Sequence, residues 1–357
     1  MSLKVGIVGL PNVGKSTLFK AITKKQVDCA NYPFCTIEPN VGIVAVPDPR
    51  LDALAKVSNS RKVIPATVEF VDIAGLVAGA SKGEGLGNKF LSHIRETDAI
   101  IEVVRAFDNK DIVHVSGRID PLSDVEIINL ELAYADLSVV EKRLDGLRKQ
   151  AKGGADRDAK IALEAVDKVH KVLSDGRQAR TADLTDDERK AIKELQLLTM
   201  KPLLYVVNVD ENQLKAGYRI PGLPEELQIP LCIKLEEELA SLPAEEVKDY
   251  LEALSLKMTG LDRLITEAYD LLGLMTFLTS GETETRAWTI VKGTKAPQAA
   301  GVIHTDFEKS FIRVEIVDWK DFVELGEAGS RDKGRLRVEG KEYVMRDGDV
   351  VLFRVGA

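Results

Sequence analysis

The sequence predicts an α/β protein in three parts: a parallel-sheet domain built on a phosphate-binding loop, a helical hairpin inserted into it, and a small α+β module at the C-terminal end. Three observations predict this. The first is an apolar run, Leu3-Lys4-Val5-Gly6-Ile7-Val8, that reads as a buried strand and leads into Gly9-Leu10-Pro11-Asn12-Val13-Gly14-Lys15-Ser16-Thr17, after which Leu18-Phe19-Lys20-Ala21-Ile22 reads as a helix start. The second is helical spacing of apolar residues from about Leu122 through Leu130, Leu137, Val140, Leu144 and Leu147, broken at Gly153-Gly154 and resumed from Asp156. The third is a return to short strand-like runs after about residue 278, among them Ala287-Trp288-Thr289-Ile290-Val291 and Phe311-Ile312-Arg313-Val314-Glu315-Ile316-Val317.

Composition bounds the function. A chain of 357 residues has room for two or three domains, and 45% hydrophobic with 30% charged residues is ordinary for a soluble protein. A net charge of -8 argues against coating nucleic acid by bulk electrostatics and leaves only local basic patches. Cys29, Cys35 and Cys232 have no metal-ligand spacing, which implies a reducing compartment. The first strand starts at once, without a signal peptide, and no apolar run approaches the ~20 residues of a membrane span. The expectation is a cytoplasmic protein with no membrane partner.

The G-x-x-x-x-G-K-S/T loop carries the first chemistry. Its glycines let successive N–H groups converge on phosphate oxygens, and the helix that follows adds its positive dipole end. Asn12, Val13, Gly14, Lys15, Ser16 and Thr17 are therefore expected around the phosphates of a nucleoside triphosphate, with Lys15 at the β/γ-phosphates and the Ser16 hydroxyl on Mg²⁺. Two prolines in Asn31-Tyr32-Pro33-Phe34-Cys35-Thr36-Ile37-Glu38-Pro39-Asn40 exclude a regular element and predict an ordered, movable loop. Thr36 is its candidate for closing over the γ-phosphate and completing the Mg²⁺ shell.

Val41–Val46 and Ala66–Val71 read as strands, the second running into Asp72-Ile73-Ala74-Gly75. An Asp at a strand's carboxyl end, followed by Gly about 60 residues after the loop, is expected to hold Mg²⁺ through a water, with the Gly75 N–H at the γ-phosphate. Residues 75–87 hold five glycines in thirteen positions, an entropy cost that predicts ordering by nucleotide or partner. A helix follows from Asn88 to Glu96, then the strand Ala99–Val104. Leu76 occupies the place where Ras-like GTPases carry a water-orienting glutamine, and leucine cannot polarise water. The catalytic group must come from elsewhere, and His114 is one candidate.

The insertion reads as a hairpin whose ends project from the core, with a further helix expected from Thr185 to Leu198. Lys142, Arg143, Arg148, Lys149 and Lys152 cluster before its turn, read either as a solvated face or as a contact for RNA or an acidic partner. Lys and Arg nearly balance Asp and Glu across the whole insertion, so any nucleic-acid contact is local.

The sheet resumes with Pro202–Val207 and ends in Asn208-Val209-Asp210-Glu211, where GTPases carry N-K-x-D. Asn208 can still serve the purine N7, but Val209 replaces the lysine and the longer Glu211 cannot stand where Asp reads guanine. Such a site loses discrimination for guanine, which favours ATP or relaxed purine choice. Gln228–Lys234, with Cys232, is the last strand and the loop where a base is flanked by backbone, and the helix Gly260–Leu272 closes the domain. In the C-terminal module His304 lies beside Thr305-Asp306, but no nucleophile or metal set accompanies it.

With these residues in view the chain closely resembles the YchF/Obg-like ATPase family of P-loop proteins along essentially its whole length. The resemblance rests on Gly9–Thr17, Asn31–Asn40, Asp72–Glu96, Asn208–Glu211 and Arg286–Lys309. It implies a P-loop NTPase fold, a Ras-like, Obg-type G domain, at residues 1–124 and 200–277. An inserted helical coiled-coil domain would occupy 125–199, and a ubiquitin-like β-grasp TGS domain 278–357. It implies ATP preferred over GTP, Mg²⁺, slow hydrolysis, and association with the ribosome, as large subunit or 70S particle, with rRNA or tRNA contact through Lys142–Lys152 and the TGS domain. By matched position it assigns Ser16 and Thr36 to Mg²⁺, Val209 to the adenine through its main chain, and His114 to water positioning. Two alternatives stay open: a GTPase with an atypical base motif, and a nucleotide-gated scaffold with negligible hydrolysis.

Overall fold

The computed structural model describes residues 3–27, 38, 40–73, 86–109, 118–152, 156–253 and 256–356. Thr36, Gly75, Leu76 and His114 lie outside the described residues, as do Cys29 and Cys35.

The first half of the nucleotide domain runs β1 (Lys4–Val8), α1 (Lys15–Thr23), β2 (Val41–Ala45), α2 (Pro49–Ser58), β3 (Val63–Ile64), β4 (Thr67–Asp72), α3 (Leu86–Arg95) and β5 (Ala99–Arg105). β1 is the centre of the sheet, parallel to β4 on one side and to β5 on the other, and β2 is antiparallel to β4 at the edge. All seven residues of β5 are buried, as expected for a parallel strand covered on both faces. The helix expected over Asn88–Glu96 is there as α3, one to two residues earlier at each end. α2 starts on local signals: Asp48 caps it by accepting from the Arg50 N–H at 3.0 Å, and Pro49 stands at its first position.

The insertion follows as α4 (Pro121–Lys152), α5 (Arg157–Ser174) and α6 (Asp186–Ile192). α4 has 32 residues, a rod of about 48 Å. Its first half puts Val125, Ile128, Leu132 and Ala135 into the nucleotide-domain core, and its second half packs Val140, Leu144 and Leu147 on Ala162, Ala165, Val166 and Val169 of α5. One continuous helix thus belongs to two cores, and that is how the hairpin stands away from the sheet. α6 starts on a reciprocal cap between Thr185 and Glu188. It stops earlier than expected: past Ile192 the chain tightens into 3-10 turns at Lys193–Leu195 and Leu198–Met200, with Gln196 between them in the left-handed region.

The reason for that break is Asp136 of α4, which is fully buried. Its carboxylate accepts from the N–H groups of Leu198 and Thr199 at 2.8 and 2.7 Å and from the Thr199 hydroxyl at 2.7 Å. An α-helical course would have turned those N–H groups inward along the helix.

A second buried acid sits in the middle of β5. Glu102 is inaccessible to solvent, and among the described residues neither of its carboxylate oxygens has a hydrogen-bond partner, nor has Nη2 of Arg180, whose charge lies opposite. Burial pushes the Glu102 carboxyl well above its usual range, with Arg180 pulling it down and Asp124 pushing it further up. The native state therefore holds a proton that the unfolded chain releases near its ordinary pKa of about 4.3, and stability falls as pH rises above that value. Melting Glu102→Gln beside wild type at pH 5.5 and 8.5 should show the variant losing less stability on going to the higher pH. Equal losses in both proteins would mean that Glu102 titrates normally.

The chain returns to the sheet as β6 (Leu203–Asn208), α7 (Glu211–Lys215), β7 (Gln228–Leu231), α8 (Ile233–Leu239), α9 (Ala244–Ala253) and α10 (Gly260–Leu271), giving the strand order β2-β4-β1-β5-β6-β7. The C-terminal module comprises β8 (Leu274–Ser280), β9 (Thr285–Val291), α11 (Ala296–Ile303), α12 (Thr305–Lys309), β10 (Phe311–Asp318), α13 (Trp319–Asp332), β11 (Arg337–Glu339) and β12 (Asp349–Val355). β8 runs across the boundary expected at 277/278 and already belongs to the second sheet, of order β11-β10-β12-β8-β9-β3.

That order contains a strand from the other domain. β3 pairs with β9 in parallel, Val63 opposite Thr285. One face of the second sheet buries Phe277, Val314, Ile316 and Phe353 beneath Ala299 and Ala300 of α11. From its other face Leu278, Ala287, Val317 and Val350 join the nucleotide-domain core. Arg50 of α2 closes the seam with Asp347 at 2.6 Å.

Candidate functional site

The loop after β1 is shaped by two glycines. Gly9 has φ +154°, and a Cβ there would come within 2.6 Å of the Val103 carbonyl; Gly14 has φ +105°, and a Cβ would meet the Asn208 amide at 2.6 Å. Asn12 itself sits at φ +62°, in the left-handed region that asparagine tolerates. Backbone curvature of this kind turns N–H groups toward one point.

A cavity of about 900 Å³ opens at the carboxyl ends of the strands, where ligands of parallel sheets bind. Asn12, Gly14, Lys15, Ser16 and Thr17 line one side, and Asn208, Val209, Glu211 and Cys232 the other. The sequence-derived phosphate and base residues are thus brought to one space, with two exceptions among those described. Val13 is buried behind the loop, and Asp72 ends β4 outside the cavity lining.

The side chains are held by specific bonds. Lys15 is nearly buried and its Nζ donates to the carbonyls of Gly9 and Leu10 at 3.0 and 3.3 Å. Burial pulls its ammonium below the usual range, while the Asp72 carboxylate pulls it back up; Asp72 in turn is raised by burial and lowered by Lys15. The Ser16 hydroxyl has no hydrogen-bond partner among the described residues. Hydroxyl and carboxylate oxygens of this kind fit Mg²⁺, a hard cation that keeps several waters.

Asn208 proves to be a brace as well as a wall. Its Nδ2 donates to the Val13 carbonyl at 2.9 Å and its Oδ1 accepts from the Ile233 N–H at 3.3 Å, tying the phosphate loop to the start of α8. The Val209 N–H donates to the Leu231 carbonyl at 3.0 Å, so what its backbone has left for a ligand is an acceptor. Asp210 caps α7 by accepting from the N–H groups of Asn212 and Gln213 at 2.8 and 2.9 Å. Glu211 stands beside it, exposed at the rim. Burial pushes the Cys232 thiol up, with Glu211, Glu236 and Asp210 adding to the effect.

Sequence reading missed Phe107, Asp108 and Asn109, which complete the cavity wall after β5. Their position just past the carboxyl end of a central parallel strand was the available signal. Arg105, fully buried, holds this loop: its guanidinium lies 4.5 Å over the Phe107 ring, and its Nη2 donates to the Asn109 carbonyl at 3.1 Å.

Comparison with known proteins agrees with this geometry. A family model described as 50S ribosome-binding GTPase matches residues 4–135, and one named YchF-GTPase_C, described as a protein of unknown function, matches residues 274–356. The chain is 53% identical to the ribosome-binding ATPase YchF of Haemophilus ducreyi and 52% identical to that of Bacillus subtilis, in each case over 99% of both chains. The solved structure of the Schizosaccharomyces pombe YchF GTPase superposes with a TM-score of 0.87 at 43% identity, covering 99% of this chain and 98% of that one.

Proposed function

Because the chain belongs to the YchF family of P-loop nucleotide hydrolases, we propose that it is a cytoplasmic, ribosome-binding ATPase that prefers ATP to GTP and turns it over slowly with Mg²⁺. The observation that carries the choice of base is the Val209 backbone. With its N–H given to Leu231, it offers a carbonyl, which accepts from the 6-amino group of adenine and faces guanine's O6 with a second acceptor. The exposed Glu211 supports the same choice, since no shorter aspartate stands there to read guanine's two donors.

Asn12, Gly14, Lys15, Ser16 and Thr17 would bind the phosphates, with backbone N–H groups and one ammonium. Ser16, Thr36 and Asp72 would hold Mg²⁺, which supplies charge neutralisation at the β- and γ-phosphates. Gly75 would meet the γ-phosphate, and His114 would position water in place of the glutamine that Leu76 displaces. The C-terminal module is read as a TGS domain facing the ribosome. Nucleotide state would act through the Thr36 loop and the Gly75–Gly87 stretch.

Calorimetric titration with non-hydrolysable ATP and GTP analogues in Mg²⁺ tests the central claim. ATP should bind at least tenfold tighter, about 1.4 kcal/mol. A GTP preference of the same size would reject the reading of Val209 and Glu211 and return the chain to the GTPases.

A further inference from the structure

The cations of the hairpin are partly committed. Arg143 pairs with Glu194 at 2.8 Å and Arg148 with Asp167 at 3.0 Å. Lys142 and Lys149 have no such partner among the described residues, and a second group of uncommitted cations lies at the foot of the insertion, where a cavity of about 790 Å³ opens between the end of α3 and the stretch from α6 to Lys201. Arg95, Arg189 and Lys193 line it, and no ion pair or hydrogen bond joins their side chains to another described residue. Lys201, also in the lining, is spent: its Nζ donates to the carbonyls of Arg95 and Thr97.

The opposing charges are fewer. Asp98 accepts from the Lys4 N–H at 2.8 Å and keeps its charge, and the buried Asp136 carboxylate, bonded by Leu198 and Thr199, interacts electrostatically with Arg95. In the lining itself four cations, Arg95, Arg189, Lys193 and Lys201, stand against two carboxylates, Glu96 and Asp98. The walls between the cations carry Ser92, Gln196 and Met200, hydrogen-bonding and apolar groups of the kind that accept ribose and base edges.

We propose that this cleft binds the phosphate backbone of RNA exposed on the ribosome, with phosphodiesters on Arg189 and Lys193 and Arg95 reaching them from α3. Arginine's forked donors suit phosphate oxygens, and an excess of uncommitted cations in a chain of net charge -8 marks a local contact rather than general attraction. The proposal rests on the ribosome-binding reading and deepens it. α3 follows in sequence on the stretch containing Gly75, so RNA bound here grips both the insertion and the helix after that stretch.

The test compares wild type, Arg189→Ala/Lys193→Ala and, as a hairpin control, Lys142→Ala/Lys149→Ala. Each is sedimented with 70S ribosomes across a salt series and titrated against a fluorescein-labelled single-stranded RNA. All four substituted residues are exposed or half-exposed surface positions, so melting temperature and basal hydrolysis should stay at wild-type values. The cleft variant should lose about tenfold in affinity for both, and its slope of log affinity against log salt should fall by about 2. Wild-type affinity and slope in the cleft variant, or the loss appearing in the hairpin control instead, would overturn the proposal. Poly-glutamate binding as tightly as the RNA would overturn it too, making the cleft an acidic-peptide site. If wild type fails to sediment with ribosomes, the ribosome reading itself falls, and loss of RNA-probe binding in the cleft variant alone would still uphold RNA contact here.

Discussion

Lys15→Ala should lower ATP affinity by roughly a hundredfold, about 3 kcal/mol, and abolish measurable turnover, while leaving the fold intact. Nζ is already almost out of water, bonded to two loop carbonyls and drawn toward Asp72. The charge therefore stands desolvated where β- and γ-phosphate oxygens arrive, and bonds between ionised groups in such a place are the strong ones. Removing it leaves only two carbonyls on a solvated cavity wall, so apo stability changes little. Affinity within about threefold of wild type by calorimetry would reject the phosphate assignment. His114→Ala should do the opposite, preserving affinity while lowering turnover about a hundredfold; unchanged turnover would remove histidine from the mechanism.

Asp136→Ala should be the most damaging single change outside the site. It strips three bonds of 2.7–2.8 Å from a fully buried carboxylate and leaves two backbone N–H groups and the Thr199 hydroxyl without an acceptor. Orphaning buried donors to a charged group costs about 3–5 kcal/mol in all. Those N–H groups belong to the segment that carries the insertion back to β6, and Thr199 Oγ1 also accepts from the Ala179 N–H at 3.0 Å, so the loss spreads to the base of the hairpin. Melting temperature should fall by roughly 6 °C or more, with hydrogen exchange at Ala179, Leu198 and Thr199 speeding up ahead of the sheet. A shift under 1 °C, or unchanged exchange at those three amides, would show that the carboxylate is dispensable.

These two residues mark different limits of sequence reading. Lys15 was legible because its neighbours within one loop and one helix turn specify its task. Asp136 was not: in α4 it reads as another charge on an amphipathic helix, and its partners lie far along the chain. The same limit hid Phe107, Asp108 and Asn109, which resemble an ordinary loop until β5 and β6 place them opposite the phosphate loop. It also blurred the basic hairpin, since pairing with Glu194 and Asp167 depends on which helix faces which.

By itself the sequence determined the phosphate loop, the strands around it, the helical insertion, and the altered base motif ending in Glu211. These are local: period, turn chemistry and caps act within a few residues, so they are written where they act. Only the tertiary structure decided that β3 joins the second sheet, that one helix serves two cores, that Glu102 is buried facing Arg180, and that the Val209 N–H is already spent. Each depends on which distant segments meet, and that is settled by burial of whole faces and by saturation of polar groups after the chain has closed on itself.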